Sequence, residues 1–317
     1  MATRTSTSLL SLCSSQSPRF LAATRPAAAS ASVRFLHQTI PSLSSAAAPA
    51  SSDPVVITRE PSGVAILTLN RPKSLNALTE EVGDAFREAV ATLSADDSVR
   101  AVVLTGAGRA FSAGGDLGFL RDRITTTPQK NVEVMRQFYD RFLSVRKLPV
   151  PVIAAINGHA IGAGFCLALA CDMRVAAKPA KVGLNFTRIG MHPGMAGSHT
   201  LPILVGNQTA SLLLLTGDLV SADDAARYGL VLSSVEPDQV VAEAKKIAER
   251  IAKASPVAVR GTLKTLRMRV DDGLERALQR EADSQAHGYA SPDYPEGLDA
   301  IVEKRDPVFQ AFNSYAK

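Results

Sequence analysis

Two short glycine-rich segments carry the clearest chemical signal in this chain. The first is Ala110-Phe111-Ser112-Ala113-Gly114-Gly115-Asp116-Leu117, which follows the apolar run AVVLT at 101–105. The second is Ile156-Asn157-Gly158-His159-Ala160-Ile161-Gly162-Ala163-Gly164-Phe165, which follows PVIAAI at 151–156. Small residues let a ligand come close to backbone N–H groups. The first N–H groups of a helix have no internal acceptor, and the helix dipole favours negative charge there. Two such groups converging on one oxygen make an oxyanion hole, the device that stabilises an enolate or a tetrahedral anion. The competing reading of either segment alone is a tight strand-to-helix turn that serves packing.

Other chemistries lack support. Gly106-Ala107-Gly108-Arg109-Ala110-Phe111 begins like a dinucleotide fingerprint but places Phe111 where Gly or Ala is required. There is no phosphate-binding GKS or GKT loop and no Gly-x-Ser-x-Gly elbow. The five histidines, at 37, 159, 192, 199 and 287, show no metal-ligand spacing with carboxylate support.

The elements that must position the two segments follow from periodicity. Residues 55–60 and 64–69 read as a hairpin around Pro61-Ser62-Gly63. Thr79 is the N-cap of a helix reaching about Leu93, with Val82, Phe86 and Val90 on one face. The runs at 101–105 and 151–156 are continuously apolar, as strands buried on both faces are. Helices are expected over 129–147 and 162–171, with short strands at 173–176 and 182–184. Beyond residue 195 helical patterns dominate: 197–215, 221–228, 238–253, 256–268, 271–288 and 307–315, with one strand at 230–235.

Several motifs occur in order: Leu69-Asn70-Arg71-Pro72-Lys73-Ser74-Leu75-Asn76-Ala77-Leu78, Phe111 to Asp116, Asn157 to Gly164, and Leu167 to Arg174. They are followed by Leu215-Thr216-Gly217, Ala225 to Val231, and Val302 to Phe309. In this order and spacing the chain resembles the crotonase superfamily, the enoyl-CoA hydratase/isomerase family, over about residues 54–310. The resemblance implies an α/β fold, a spiral of ββα units with a helical C-terminal region. It implies an acyl-CoA thioester as substrate, with coenzyme A part of that substrate and no separate cofactor or metal. The expected division is an acyl-CoA-binding core over 53–215 and a region over 216–317 that covers the site and builds a homotrimer or hexamer. The oxyanion donors would be the N–H groups of Gly115 and Ala163. Lys73, Leu75, Ala77, Ala113, Gly114 and Asp116 would border coenzyme A, and Phe186 the acyl group.

The family pattern breaks at its acids. Hydratases of this family use two glutamates; Cys166 and Phe186 stand at those positions, and Gly194 at a third acid position used by dienoyl isomerases. Cys166 and His192 are left as candidate acid–base groups, each with a packing or backbone-bonding role as the alternative. Arg188 is a candidate partner for an acyl carboxylate or a surface ion-pair residue. Asp116 reads as a helix cap, and His159 as structural. If the donor position at 163 required positive φ, alanine there would be strained.

Composition narrows the rest. The chain has 317 residues, 46% hydrophobic and 21% charged, and no apolar run long enough to span a membrane. Residues 1–52 contain four arginines, no lysine and no acid, and are rich in Ser, Ala and Thr. That is the composition of an organellar transit peptide, with the mitochondrial matrix favoured over the plastid. It accounts for most of the net charge of +5, since 31 basic and 30 acidic residues remain after it. Three cysteines make no disulfide framework. RNA binding through the basic stretch 245–269 is expected to lose to a solvated helical face. The expected activity is acyl-CoA chemistry of the hydratase or isomerase type in fatty-acid or branched-chain amino-acid catabolism. A catalytically silent acyl-CoA-binding or assembly subunit and a thioester hydrolase or decarboxylase are the alternatives.

Overall fold

The computed structural model describes residues 51–310. Strands β1 (Val55–Arg59) and β2 (Val64–Leu69) pair antiparallel, Val55 opposite Leu69, around a turn in which Gly63 takes φ 82°. Helix α1 (Glu80–Ser94) starts where the sequence predicts, with Thr79 Oγ1 accepting the Val82 N–H at 3.1 Å. Its buried face is Val82, Phe86, Val90 and Leu93.

Three strand–strand–helix turns follow. The first is β3 (Ala101–Gly106), β4 (Ala110–Ser112), then α2 (Leu117–Thr125) and α3 (Pro128–Leu143). The second is β5 (Val152–Ile156), β6 (His159–Ile161) and α4 (Ala163–Ala170). The third is β7 (Met173–Ala177), β8 (Lys181–Gly183), a 3-10 turn over Asn185–Ile189 and α5 (Gly197–Thr216). Each turn gives its first strand to one sheet and its second to another. Strands β9 (Val220–Ser221) and β10 (Ser234–Val235) complete these sheets on either side of α6 (Ala222–Arg227). The larger sheet has the order β1-β2-β3-β5-β7-β10, parallel except for the hairpin, and the smaller has β4-β6-β8-β9. This is the expected ββα spiral. It also explains the texture of the sequence: every residue of β3 and β5 is buried, because both faces of that sheet are covered.

Helices α7 (Val240–Ala252), α8 (Pro256–Asp271), α9 (Leu274–Tyr289) and α10 (Asp293–Glu303) form the C-terminal region. Val240, Ala244 and Ala248 of α7 are fully buried against β3, β5 and β7, so the segments before and after residue 216 share one core. Arg267 of α8 is clamped by Asp172 at 2.7 Å and by the carbonyls of Arg146 and Leu148. Three expectations need correction. The strand expected over 230–235 is confined to β10, Ser234–Val235. The helix predicted over 307–315 is absent from 307–310, and 311–315 lie outside the described residues. Helix α10, which is not among the expected helices, lies earlier in the chain. Its Pro295 falls in the first helical turn, where the missing N–H would have had no partner. The predicted helix over 197–215 is interrupted at Gly206, which takes φ 75° and ψ 160°. The expected leader lies outside the described residues apart from Ser51 and Ser52. No helix among the described residues is long and apolar enough to cross a membrane.

Candidate active site

The first glycine turn is held by a distant segment. Ala113 N–H donates to Leu75 O (2.9 Å), Leu78 N–H to Gly114 O (2.7 Å) and Asp116 N–H to Leu78 O (3.2 Å). This short parallel pairing uses both backbone groups of Leu78. The N–H and C=O of Gly115 therefore point to the opposite side, and the Gly115 N–H has no acceptor among the described residues. Leu75 and Asn76 reach the pairing through left-handed backbone, each at φ 54°. Buried Asn76 justifies that strain: its amide donates to Ala107 O (2.9 Å) and Ala110 O (2.8 Å), and its carbonyl accepts the Arg71 N–H (2.8 Å). Asp116 caps α2, accepting from Gly118 and Phe119 N–H at 2.8 and 3.1 Å.

The second turn is held by the helix it opens. Gly162 takes φ 53° and ψ −122° and donates to Gly183 O at 2.9 Å. The first intrahelical bond runs from Cys166 N–H to Gly162 O (3.0 Å), leaving the N–H groups of Ala163, Gly164 and Phe165 without helical acceptors. Ala163 is absent from the residues with positive φ. The unusual conformation falls on Gly162, and a methyl group at 163 is carried by ordinary helical backbone.

The two turns touch. A β-carbon on Gly114, itself at φ 95°, would lie 2.7 Å from Ile161 O and 3.5 Å from Ala163 N. A β-carbon on Gly164 would lie 2.7 Å from Ser112 Oγ. Glycine at 114 and 164 is thus set by close approach, and the N–H groups of Gly115 and Ala163, neither with an acceptor among the described residues, sit on adjoining turns. Lys73 and Ala113 are exposed and Leu75 half-buried beside them, while Ala77 and Gly114 are buried. Leu120 of α2 covers Gly115 from behind, 3.5 Å from where a β-carbon would stand.

Of the candidate acid–base residues, Cys166 lies on α4 and His192 on the loop before α5. Phe186 is buried, and its ring tip would be 3.9 Å from a β-carbon on Gly162. Cys166 is buried, and its thiol donates to Gly194 O at 3.2 Å. Burial, reinforced by the Glu281 charge, pushes that thiol well above its ordinary pKa, so a thiolate base is disfavoured. His192 is half-buried, with Nδ1 2.7 Å from Pro193 O, and burial lowers its pKa. With Nδ1 assigned as the donor to that carbonyl, Nε2 of the neutral ring is left as an acceptor. Arg188 pairs with Asp218 (2.7 Å) and Thr216 O (3.1 Å) on the surface. His159 Nδ1 accepts the Lys181 N–H at 2.9 Å and ties β6 to β8. Of the basic stretch 245–269, Lys245 pairs with Glu60, Lys246 with Glu243 and Arg260 with Asp97.

Sequence reasoning missed a buried polar network behind His192. Glu281 of α9 is fully buried and accepts from Ala196 N–H (2.7 Å), Ser198 N–H (2.9 Å) and Ser198 Oγ (2.6 Å). It anchors a strained stretch, since Met195 and Ala196 lie at φ 52° and 61°. Burial raises its carboxyl to about 7 against the pull of these donors. One helical turn on, Gln285 donates to His192 O (2.9 Å) and accepts from the hydroxyls of Tyr139 (2.6 Å) and Tyr289 (3.2 Å). The available signal was two polar residues at i, i+4 within the stripe of Leu278, Ala282 and Ala286.

Two adjoining turns, each with a backbone N–H that has no acceptor among the described residues, and an exposed edge beside them can receive a polarised or anionic oxygen. The family model for enoyl-CoA hydratase/isomerase matches residues 59–312. A crotonyl-CoA hydratase of Syntrophomonas wolfei is 36% identical over 255 residues, 80% of this chain and 97% of its own length. A Dictyostelium discoideum protein described as a probable mitochondrial enoyl-CoA hydratase is 33% identical over 279 residues, 87% of this chain and 99% of its own. The crystal structure of an enoyl-CoA hydratase/isomerase from Pseudoalteromonas atlantica superposes with a TM-score of 0.71 at 33% identity, covering 81% of this chain and all of that one. The chain belongs to the enoyl-CoA hydratase/isomerase family, the crotonase superfamily, and is an acyl-CoA-processing enzyme of that type.

Proposed function

We propose that the N–H groups of Gly115 and Ala163 hold the thioester oxygen of an acyl-CoA and stabilise the enolate formed when a proton leaves or joins the α-carbon. The observation that carries this is the pair of unpaired backbone donors on two touching turns. Each such donor contributes typically about 3–4 kcal/mol to a developing oxyanion. Coenzyme A would run along Lys73, Leu75, Ala77 and Ala113, with Gly114 and Asp116 shaping the turn below it. Phe186 closes the acyl side. Neither Cys166 nor Phe186 supplies the carboxylates that hydratases use, so water addition has no paired acids there. Proton transfer then rests on His192, whose free imidazole nitrogen suits a base at neutral pH. Isomerase-type chemistry is favoured over hydration, with decarboxylation or thioester hydrolysis as enolate or acyl variants on the same donors. Each acyl-CoA of a panel is incubated with the enzyme in heavy water and weighed. Deuterium entering the acyl chain without net addition is the expected result. A mass gain of one water would make it a hydratase instead.

A second reading is a silent acyl-CoA-binding subunit, favoured by the neutral, buried Cys166 and by the Phe186 ring where an acid would stand. It is accepted if acyl-CoA binds and no thioester in the panel changes. The leader composition and the mitochondrial relative support a mitochondrial-matrix address; plastid uptake of a fluorescent fusion to residues 1–52 would reject it. A homotrimer or hexamer is supported by exposed Leu215, Leu232 and Leu266, and light scattering of the leaderless protein decides it.

A further inference from the structure

Glu281 and Gln285 lie one turn apart on α9, and both are fully buried. Among the described residues Glu281 is the only buried acid. Burying a carboxylate is costly even when it is hydrogen-bonded, and an apolar side chain would fill the same space without that cost. The pair therefore calls for an account beyond packing.

Both residues hold one loop. Gln285 Nε2 donates to His192 O (2.9 Å), and Glu281 accepts from Ala196 N–H (2.7 Å), Ser198 N–H (2.9 Å) and Ser198 Oγ (2.6 Å). Between them Cys166 Sγ donates to Gly194 O (3.2 Å). Every second residue from 192 to 198 is thus fixed from the interior. The left-handed Met195 and Ala196 sit within this stretch, a strain that persists only where the surroundings over-determine it. A β-carbon on Gly194 would lie 2.7 Å from both Gln285 Nε2 and Tyr139 Oη, so the loop lies this close only with glycine there. Gln285 Oε1 accepts from the hydroxyls of Tyr139 and Tyr289, which leaves its amide nitrogen for His192.

The same loop is tied to the second donor turn. Cys166 stands in the first turn of α4, its N–H bonded to Gly162 O, and its sulfur would be 3.1 Å from a β-carbon on Gly197. The His192 ring is tied to the loop's own backbone, with Nδ1 2.7 Å from Pro193 O. Where the loop is held therefore decides where the imidazole stands relative to α4.

We infer that Glu281 and Gln285 are positioning residues for proton transfer, fixing the His192 loop against α4 so that the imidazole keeps its place relative to the Ala163 N–H. This rests on the acyl-CoA reading with His192 as base. The test is a double-mutant cycle on deuterium uptake from heavy water by butanoyl-CoA, crotonyl-CoA and octanoyl-CoA. Gln285→Met and Glu281→Gln should each lower kcat by roughly 10–10²-fold, the loss typical of a misplaced reacting group, with KM within about twofold. In the His192→Ala background the same changes should cost less than about twofold, because the group they position is gone. A purely structural role predicts the same loss in both backgrounds, and that additivity overturns the inference, as does wild-type kcat in Gln285→Met. If these variants do not fold, Tyr139→Phe removes one donor to Gln285 and keeps the ring. A few-fold loss that vanishes without His192 then supports the inference, and no loss overturns it. Wild-type exchange in His192→Ala overturns the assignment of the base, and uptake into none of the three thioesters overturns proton transfer on acyl-CoA; either result takes this inference with it.

Discussion

At Gly115 the free N–H is aimed by a segment some forty residues upstream, whereas at Ala163 it is aimed by the helix that the residue itself begins. The first turn depends on residues 75–78, on two left-handed residues and on the three hydrogen bonds of the Asn76 amide. The second depends on one glycine conformation and on the α4 backbone. A backbone N–H without an acceptor among the described residues is thus produced by tertiary pairing in one place and by secondary structure in the other. A donor set by secondary structure tolerates a changed side chain. A donor set by tertiary pairing is only as well placed as its partner.

That contrast can be broken from either side. Gly114→Val should do most damage, because the side chain meets Ile161 O and the backbone φ of 95° is unsuited to a β-branched residue. We expect turnover to fall by roughly 10²–10³-fold, the loss typical of a displaced oxyanion donor, with a lower melting temperature. Asn76→Ala should come next. It strands the buried carbonyls of Ala107 and Ala110, costing about 2–4 kcal/mol in denaturant unfolding and weakening coenzyme A binding through the loop. Gly162→Ala forces φ 53° on a residue with a β-carbon, for about 1–3 kcal/mol of strain, and kcat should fall more than KM rises. Ala163→Gly should change least: the position is helical, and kcat should stay within a few-fold of wild type.

The loop behind the second turn adds a pH dependence. Glu281 has its folded-state pKa raised from 4.5 to about 7. The folded state then binds more protons than the unfolded one between these values. The stability linked to this group is fully present below about 4.5 and is lost as pH rises through about 7. Glu281→Gln should flatten that part of the unfolding free-energy profile. A slope unchanged in the variant would assign it to other groups.

Much of this was legible in the sequence because it is local. The buried strands at 101–105 and 151–156, the caps at Thr79 and Asp116, and the small residues at both turns follow from backbone sterics and the demand that buried polar groups be paired. Of the second layer of short strands, β8 is expected at 182–184, but β4 and β6 are not: three-residue strands carry too little periodicity, and they are held by neighbours distant in sequence. Helix α10 is not among the expected helices; Pro295 falls in its first turn, where a missing N–H costs no intrahelical bond.

By itself, then, the sequence determined the long buried strands, the first helix with its cap and the two glycine-rich turns that follow β3 and β5. Only the tertiary structure decided that Cys166 is a buried neutral thiol, that Arg188 is occupied by Asp218, that Glu281 anchors the loop carrying His192, and that buried Arg123 has no carboxylate partner among the described residues. The physical reason is that titration and pairing depend on burial and on which distant groups come within hydrogen-bonding distance, and neither quantity is a property of a residue's own neighbourhood in the chain.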